Sequence, residues 1–566
     1  MIDFILEIPL NVLFNSLNDL FRKKPTFTLA RNYKDQECLL WGDPIPDAEL
    51  LKADGPKWDA DVIVKRCKGH FYFLFWNHRE RVMTIGNSLF SVLPVYYRME
   101  SDRIVIAANA LDIAEYMDSK KISRRFVLET MLFNYPLFND SVVKGINLLP
   151  CNSNIKISAD RCFFSKHTSV TDHFQTNPKP WRKALTEMSE VFLCSVRNYL
   201  PENRYFVSLT GGFDGRTLAA AGLYLKKNFA CYTFGVARSA DVAIATRLIA
   251  AAKVPFLRLD LDETYAREKA LGLGLEFIRG ASGNATFARA HYLYAARELA
   301  KKTEYIITGN FGSEVFRAAH VPGVVIAPNL FRLFDADSLQ EGIRAISNSS
   351  EFSYLNRSNF RNEWEELKVD LERLPRFNAE YRSLSRNQQF YIFVFEEIFR
   401  KYFGAEIINQ FHYVKNRTPF LDWDFLKAIF QTGLAGIYSS FFEHNPIKRY
   451  KGQVLYAHII RKTYPEFGLM MTDKGYRPDD LTTWEGKISI ICGYIKKRIN
   501  RKILMKSDPY SVIAAFESNR NVFNNIEIDS DWFNAERISK EMNANPGEAL
   551  FKPLSLAYIM GLMEHR

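Results

Sequence analysis

Residues 205–217 read Tyr205-Phe-Val-Ser-Leu-Thr-Gly-Gly-Phe-Asp-Gly-Arg-Thr217. The apolar start, Tyr205 to Leu209, is rich in aromatic and β-branched side chains and predicts a buried strand. Thr210-Gly211-Gly212 breaks it, and Thr217-Leu-Ala-Ala-Ala-Gly-Leu-Tyr-Leu225 continues as a good helix former. Strand, glycine turn and helix together aim free backbone N–H groups and a helix start at an anion. Adjacent glycines let a phosphate approach without a Cβ in the way. Asp214 stands where it could hold a divalent metal against that phosphate. The same residues also make a tight turn that binds nothing, and by themselves they leave both readings open.

Working outward, further apolar runs (Ala230–Phe234, Phe256–Leu261 and Tyr305–Ile307) alternate with helical stretches, which predicts a doubly wound parallel sheet in an α/β fold. Upstream, from Asp61 to about Ile157, the pattern is short strands: Phe71–Trp76, Val82–Ile85, Val92–Tyr97 and Ile104–Ala107. These predict an antiparallel, layered domain. The polar, Pro-containing stretch Ser165–Pro180 reads as a linker. The expected organisation is therefore a β-rich domain over 1–165, a linker over 166–180 and an α/β domain over 181–566, mainly helical beyond about 340. Near the start, Leu10, Leu13, Phe14, Leu17, Leu20 and Phe21 recur at helical spacing ahead of Arg22-Lys-Lys24. They predict an amphipathic helix that packs on its own domain, with a membrane surface as the alternative.

At 566 residues the chain is long enough for several domains with large cores. A hydrophobic fraction of 47%, with 14% aromatic, excludes a largely disordered chain. Seventy-five basic against 64 acidic residues give +11, too mild over this length to point to nucleic acid. Lys496-Lys-Arg-Ile-Asn-Arg-Lys502, after Ile488, Ile491 and Ile495, reads as a solvated helix face, with an acidic partner as the alternative. No apolar run is long enough to cross a bilayer. The opening Met1-Ile-Asp-Phe-Ile-Leu-Glu carries acids and lacks the basic leader of a secretory signal. The seven scattered cysteines form no C-x-x-C pair, which fits free thiols in a reducing cytoplasm. The ten histidines show no metal-ligand spacing.

The turn resembles the pyrophosphate-binding loop of the asparagine synthetase family, Ser-Gly-Gly-x-Asp-Ser, here Thr210-Gly211-Gly212-Phe213-Asp214-Gly215. Four more stretches match in order. Asn87–Tyr97 is similar to the Pro-Leu-Tyr-Tyr segment of that family's amino-terminal domain. Ile307-Thr-Gly-Asn-Phe-Gly-Ser-Glu-Val-Phe316 is similar to its Gly-Glu-Gly-Ala-Asp-Glu-Leu-Phe motif. Arg417-Thr-Pro-Phe-Leu-Asp422 is close to its Arg-x-Pro-Phe-Leu-Asp. Lys474-Gly475-Tyr476, after Tyr464-Pro465-Glu466, stands where the family has Lys-x-Gly-Phe. The likeness runs from about residue 69 to about 480. It implies an amidotransferase-like (Ntn-like) amino-terminal domain and an ATP-pyrophosphatase-type sheet with a helical carboxyl-terminal extension.

The resemblance also implies roles. Leu209, Thr210, Gly211, Gly212, Asp214, Gly215 and Gly309 would surround ATP, with Phe234, Gly235 and Asp241 near the adenosine. Asp214 and Glu314 would hold Mg2+, Ser313 having replaced one acidic ligand. Arg216 would compensate for the missing serine at Gly215 as a phosphate donor, or be a solvated helix residue. Lys474 would meet the charge on departing pyrophosphate. Lys415 stands where the family has a glutamate serving the substrate. This reversal makes aspartate amidation by ammonia a poor fit and points to another, anionic substrate.

The family's glutaminase nucleophile is a cysteine exposed at the amino terminus. Position 2 here is Ile and the first cysteine is Cys38, so the amino-terminal domain reads as a glutaminase relic. Asn87 and Ala108-Asn109 replace the family's Asp and Ser-Glu. The expected activity is a cytoplasmic, AMP-forming ligase that makes an amide from a carboxylate substrate and an amine acceptor (small molecule, peptide or sugar). It would use no nucleic acid and admits a homodimer. The rival reading is a decayed synthetase acting as a scaffold.

Overall fold

The computed structural model describes residues 2–10, 17–52, 57–158, 161–316, 325–442, 450–499, 508–544 and 547–564. Two antiparallel sheets and one five-stranded parallel sheet make its frame, in a mixed α/β chain. The first antiparallel sheet runs Asn147–Leu148, Tyr96–Met99, Arg103–Ala107, Ile5–Pro9, Phe21–Lys23. The second runs Cys162–Lys166, Ser153–Ile157, Val82–Asn87, Phe71–Asn77, Gln36–Gly42, Phe27–Tyr33. Alternation along Phe71–Asn77 divides its side chains between two cores. Tyr72 and Leu74 face the first sheet, where Phe4 meets the Trp41 and Tyr72 rings, each at 5.0 Å between centroids. Phe71, Phe73 and Phe75 face Ile63 and Val64 of the helix Ala60–Arg66 on the other side.

The expected amphipathic helix near the start is not what forms among the described residues. Leu17–Leu20 is a short 3-10 turn and Phe21–Lys23 a strand paired with Ile5–Leu6, while residues 11–16 lie outside the described residues. Edge pairing on an apolar sheet outweighs local helix propensity here. The linker is also held. Ser169 and Asp172 form a capping box, and Lys179 N–H donates to Gln431 O.

The parallel sheet is ordered Phe256–Asp260, Phe229–Gly235, Tyr205–Ser208, Tyr305–Ile307, Lys415–Arg417. In chain order this is third, second, first, fourth, fifth. The winding therefore reverses between Tyr205–Ser208 and Tyr305–Ile307, where Val207 pairs with Ile307. In open α/β sheets the crevice outside the carboxyl ends of the strands at such a reversal is where ligands bind. The fifth strand was not expected from sequence; three residues carry too little pattern to stand out within a helical stretch. Residues Arg386–Phe411 form one continuous helix with a π-helical middle, Val394–Phe403. Among the described residues no helix is long and apolar enough to cross a membrane.

The carboxyl end of the fifth strand is clasped by the amino-terminal sheets. Arg417 donates from Nε and Nη2 to Asp43 at 2.7 and 2.9 Å, and Lys68 reaches Asp422 at 2.6 Å. His70 Nε2 meets Thr418 Oγ1 at 2.8 Å. Burial pushes the His70 imidazole down to about 4, so it is neutral near pH 7.

Candidate functional site

The strand Tyr205–Ser208 delivers the chain to the reversal point, and the helix Asp214–Tyr224 leaves it. Leu209, fully buried, anchors the turn by donating its N–H to Tyr232 O at 2.9 Å. Thr210 Oγ1 accepts from Gly212 N–H at 3.3 Å, and Gly211 N–H donates to Asp241 Oδ1 at 2.9 Å. Burial holds the Asp241 carboxyl above its ordinary range, against the Gly211 N–H, which favours the ionised form. Gly235, at φ +149°, ends the neighbouring strand beside Ser239, the cap of Asp241's helix.

Each glycine at the site has its own reason. A Cβ on Gly211 would lie 2.9 Å from Ile244, and one on Gly309 would lie 2.5 Å from Asp214 Cβ. On Gly215 it would sit 2.2 Å from Ser208 O, so the helix can approach the strand this closely only without a side chain. Gly215 is thus fixed by packing. On Gly212 a Cβ would meet nothing nearer than Thr210 Oγ1 at 3.6 Å, so this glycine faces open space.

Asp214 sits between the two halves of the crevice. Its Oδ2 accepts from the Ser313 hydroxyl at 3.0 Å and its Oδ1 from the Tyr456 hydroxyl. Ser313, which stands in place of one acidic residue of the motif, thus donates to Asp214 directly, and Glu314, the other expected ligand, follows it on the short helix Gly312–Phe316. Among the described residues no group of three or more His, Cys, Asp or Glu side chains could hold a metal by itself. Magnesium held mainly by phosphate and water needs only one or two carboxylates. Asp214 fits that duty on exchanging a hydroxyl.

The loop 472–476 closes over the turn. Asp473 N–H donates to Gly211 O at 3.1 Å, and Lys474 Nζ lies 3.4 Å from Asp473 Oδ1 and 5.5 Å over the Phe213 ring. Gly475, at φ +84°, makes the bend. So Leu209, Thr210, Gly211, Gly212, Asp214, Gly215, Asp241, Gly309 and Lys474 meet at one place. Phe234 points elsewhere, against His291 at 5.3 Å and Tyr510 at 6.1 Å.

Two expectations are corrected. Arg216 is fully buried and donates to the carbonyls of Phe467, Met470 and Met471 at 3.1, 2.7 and 2.9 Å. Burial pushes its guanidinium down to about 10. It is neither a phosphate donor nor a solvated residue; it braces the stem of the Lys474 loop. Lys415 begins the fifth strand, paired with Tyr305, at the amino-terminal edge of the sheet opposite the turn, and bonds Glu304 at 2.6 Å. It has no place at the site.

Sequence reasoning missed Tyr456 and the loop contact of Asp473. Tyr456 gives no local signal, because a lone buried tyrosine on a helix reads as core. Asp473 could have been singled out by standing next to Lys474. In the amino-terminal unit, Cys38 is fully buried and its thiol is pushed up to about 12 by burial. The replaced positions are structural: Asn87 Nδ2 donates to Leu93 O, and Asn109 Oδ1 caps the helix Ala110–Ala114 while accepting from Ser282 Oγ. Profiles of known protein families give no match to the chain, and no curated protein matches it.

Proposed function

We propose that the chain is an ATP-dependent, AMP- and pyrophosphate-forming ligase of asparagine synthetase type, joining a carboxylate to an amine without glutaminase activity. One observation carries the reading. The glycine turn occupies the first strand-to-helix connection at the reversal point of a parallel sheet, with a lysine held over it. The open face of Gly212 and the following helix start suit the β,γ-phosphates. Asp214 would carry magnesium, which shields phosphate charge. Lys474 would favour the charge that grows on the leaving pyrophosphate. The paired antiparallel sheets support an amidotransferase-like ancestry for the amino-terminal unit, and the parallel sheet supports the ATP-pyrophosphatase type. The buried Cys38 thiol supports the loss of glutamine hydrolysis, so incubation with glutamine should release no ammonia above a blank.

A scaffold reading is favoured by the occupied groups: Gly211 N–H is taken by Asp241, and both Asp214 oxygens accept hydroxyls. Titrating the full-length protein with Mg-ATP by calorimetry separates the two. Saturable binding lost in Asp214→Ala supports the ligase, and absence of binding supports the scaffold.

A further inference from the structure

Beyond His291 and Tyr510, on which Phe234 packs, lies a cavity of about 370 Å3. That volume suits a small molecule. Its walls include the end of the helix Arg124–Phe133, the segment 284–292, residues 351–354, the π-helical turn carrying Lys401 and Tyr402, the segment 510–512 and the carboxyl-terminal helix carrying Phe551 and Lys552. π-Helical turns recur at ligand sites because the widened turn presents side chains that an α-helix would space differently. Here it sets two successive residues into one cavity wall.

The lining is flat, aromatic and positively charged. Tyr292, Tyr402, Tyr510 and Phe551 supply ring surface. Lys401, Arg289 and Lys552 supply three cations against a single carboxylate, Glu351. Two of these cations have partners outside the lining: Lys401 pairs with Glu397, and Arg289 reaches Glu406 at 3.2 Å. Glu351 faces Arg332 at 3.9 Å. Lys552 differs. Its Nζ meets only neutral oxygens, Met131 O at 3.2 Å and Asn134 Oδ1 at 2.7 Å, and forms no ion pair among the described residues. The Glu351 carboxylate of the same lining favours its charge without forming an ion pair with it, and a half-buried ammonium that makes no ion pair is costly unless something anionic joins it. Three buried donor or acceptor atoms of the lining, Asn284 Oδ1, Arg289 Nε and His291 Nδ1, have no hydrogen-bond partner among the described residues. Native interiors leave few such atoms unsatisfied without a reason.

Lys552 also faces the carboxyl end of the helix Arg124–Phe133, where a cation is stabilising. Capping explains its two neutral partners. It does not explain the cavity beside it, the aromatic walls or the three orphaned atoms.

We propose that this cavity binds an organic anion with a flat apolar body, an aromatic carboxylate in kind, whose acidic group meets the Lys552 ammonium while its ring lies among Tyr292, Tyr402 and Tyr510. The site stands whether or not the glycine turn takes ATP. Calorimetric titration of the full-length protein with 2-naphthoate and, separately, its neutral amide 2-naphthamide tests it. Naphthoate should bind saturably and the amide at least about tenfold more weakly, the range of a charge-assisted hydrogen bond. Lys552→Met should weaken naphthoate by roughly ten- to a hundredfold and leave the amide unchanged. Ala288→Trp, which fills the cavity from its wall without touching a charge, should abolish both. Failure of naphthoate to saturate the wild type, equal affinity for acid and amide, or binding unaltered by Ala288→Trp would each overturn the proposal.

Discussion

Gly212→Ala separates folding from phosphate binding at the turn. The added methyl meets nothing within 3.6 Å, and the residue does not have the positive φ that would strain an alanine. Alanine at a compatible glycine stabilises by about 0.4–1 kcal/mol through the unfolded chain, so the variant should melt at or slightly above wild type. The same methyl, however, fills the space over the turn where a phosphate oxygen would lie. Mg-ATP at a hundredfold excess over its Kd stabilises a folded protein by about 2.7 kcal/mol. Unfolding residues 181–566 as one unit carries an entropy of about 0.8 kcal/mol/K, at roughly 2.1 cal/mol/K per residue. Wild type should then gain about 3 °C with ligand, and Gly212→Ala should gain nothing. Differential scanning calorimetry with and without Mg-ATP reads both effects. An alanine variant that gains as much as wild type would refute the placement of phosphate over Gly212.

Three further outcomes follow from the geometry. Lys474→Met should lower pyrophosphate release by on the order of a hundredfold while Mg-ATP affinity changes little, because its charge counts most as pyrophosphate leaves; equal weakening of both would make it a plain binding residue. Arg417→Met and Asp43→Asn should each cost about 3–5 kcal/mol, as expected when one partner of a buried pair is removed, and the double variant should lose clearly less than their sum in denaturant unfolding. Lys552 is lowered from 10.5 to about 8, chiefly by burial, so its folded form resists the charge and wild type gains stability as pH rises from about 8 to 10.5. The Tm difference between Lys552→Met and wild type should therefore favour the variant at pH 7 and shrink toward pH 10.5; a difference constant with pH would contradict the burial argument.

The parallel sheet could be read in the sequence because strands such as Ala230–Phe234 are continuous apolar runs bounded by turn residues, as strands buried on both faces must be. The glycine turn was legible because Gly211 and Gly309 are demanded by neighbouring side chains and Gly215 by the approach of the Ser208 backbone, and that demand leaves a mark in one dimension. Lys474 was found by its neighbours and does reach the turn. Lys415 was misplaced because sequence distance from a motif says nothing about strand direction. It lies upstream of Arg417 on a parallel strand and so at the opposite edge. Arg216 misled in another way. A guanidinium beside a phosphate turn and one inside a core look alike in sequence, and only the three carbonyls it meets tell them apart. The cavity around Lys552 could not be read at all, since its walls are drawn from segments hundreds of positions apart.

The bracing by Arg216 bears on how anything enters or leaves the turn. Swinging the 472–476 loop away together with the segment 467–471 would strip the buried guanidinium of its carbonyl acceptors. Losing two or more hydrogen bonds to a charged group, at about 1.5–3 kcal/mol each, would leave the opened form at or below roughly one molecule in a hundred. The loop is therefore a wall rather than a door. Under the proposed phosphate binding, the ligand would enter on the Gly212 side, where an added Cβ meets nothing nearer than Thr210 Oγ1 at 3.6 Å.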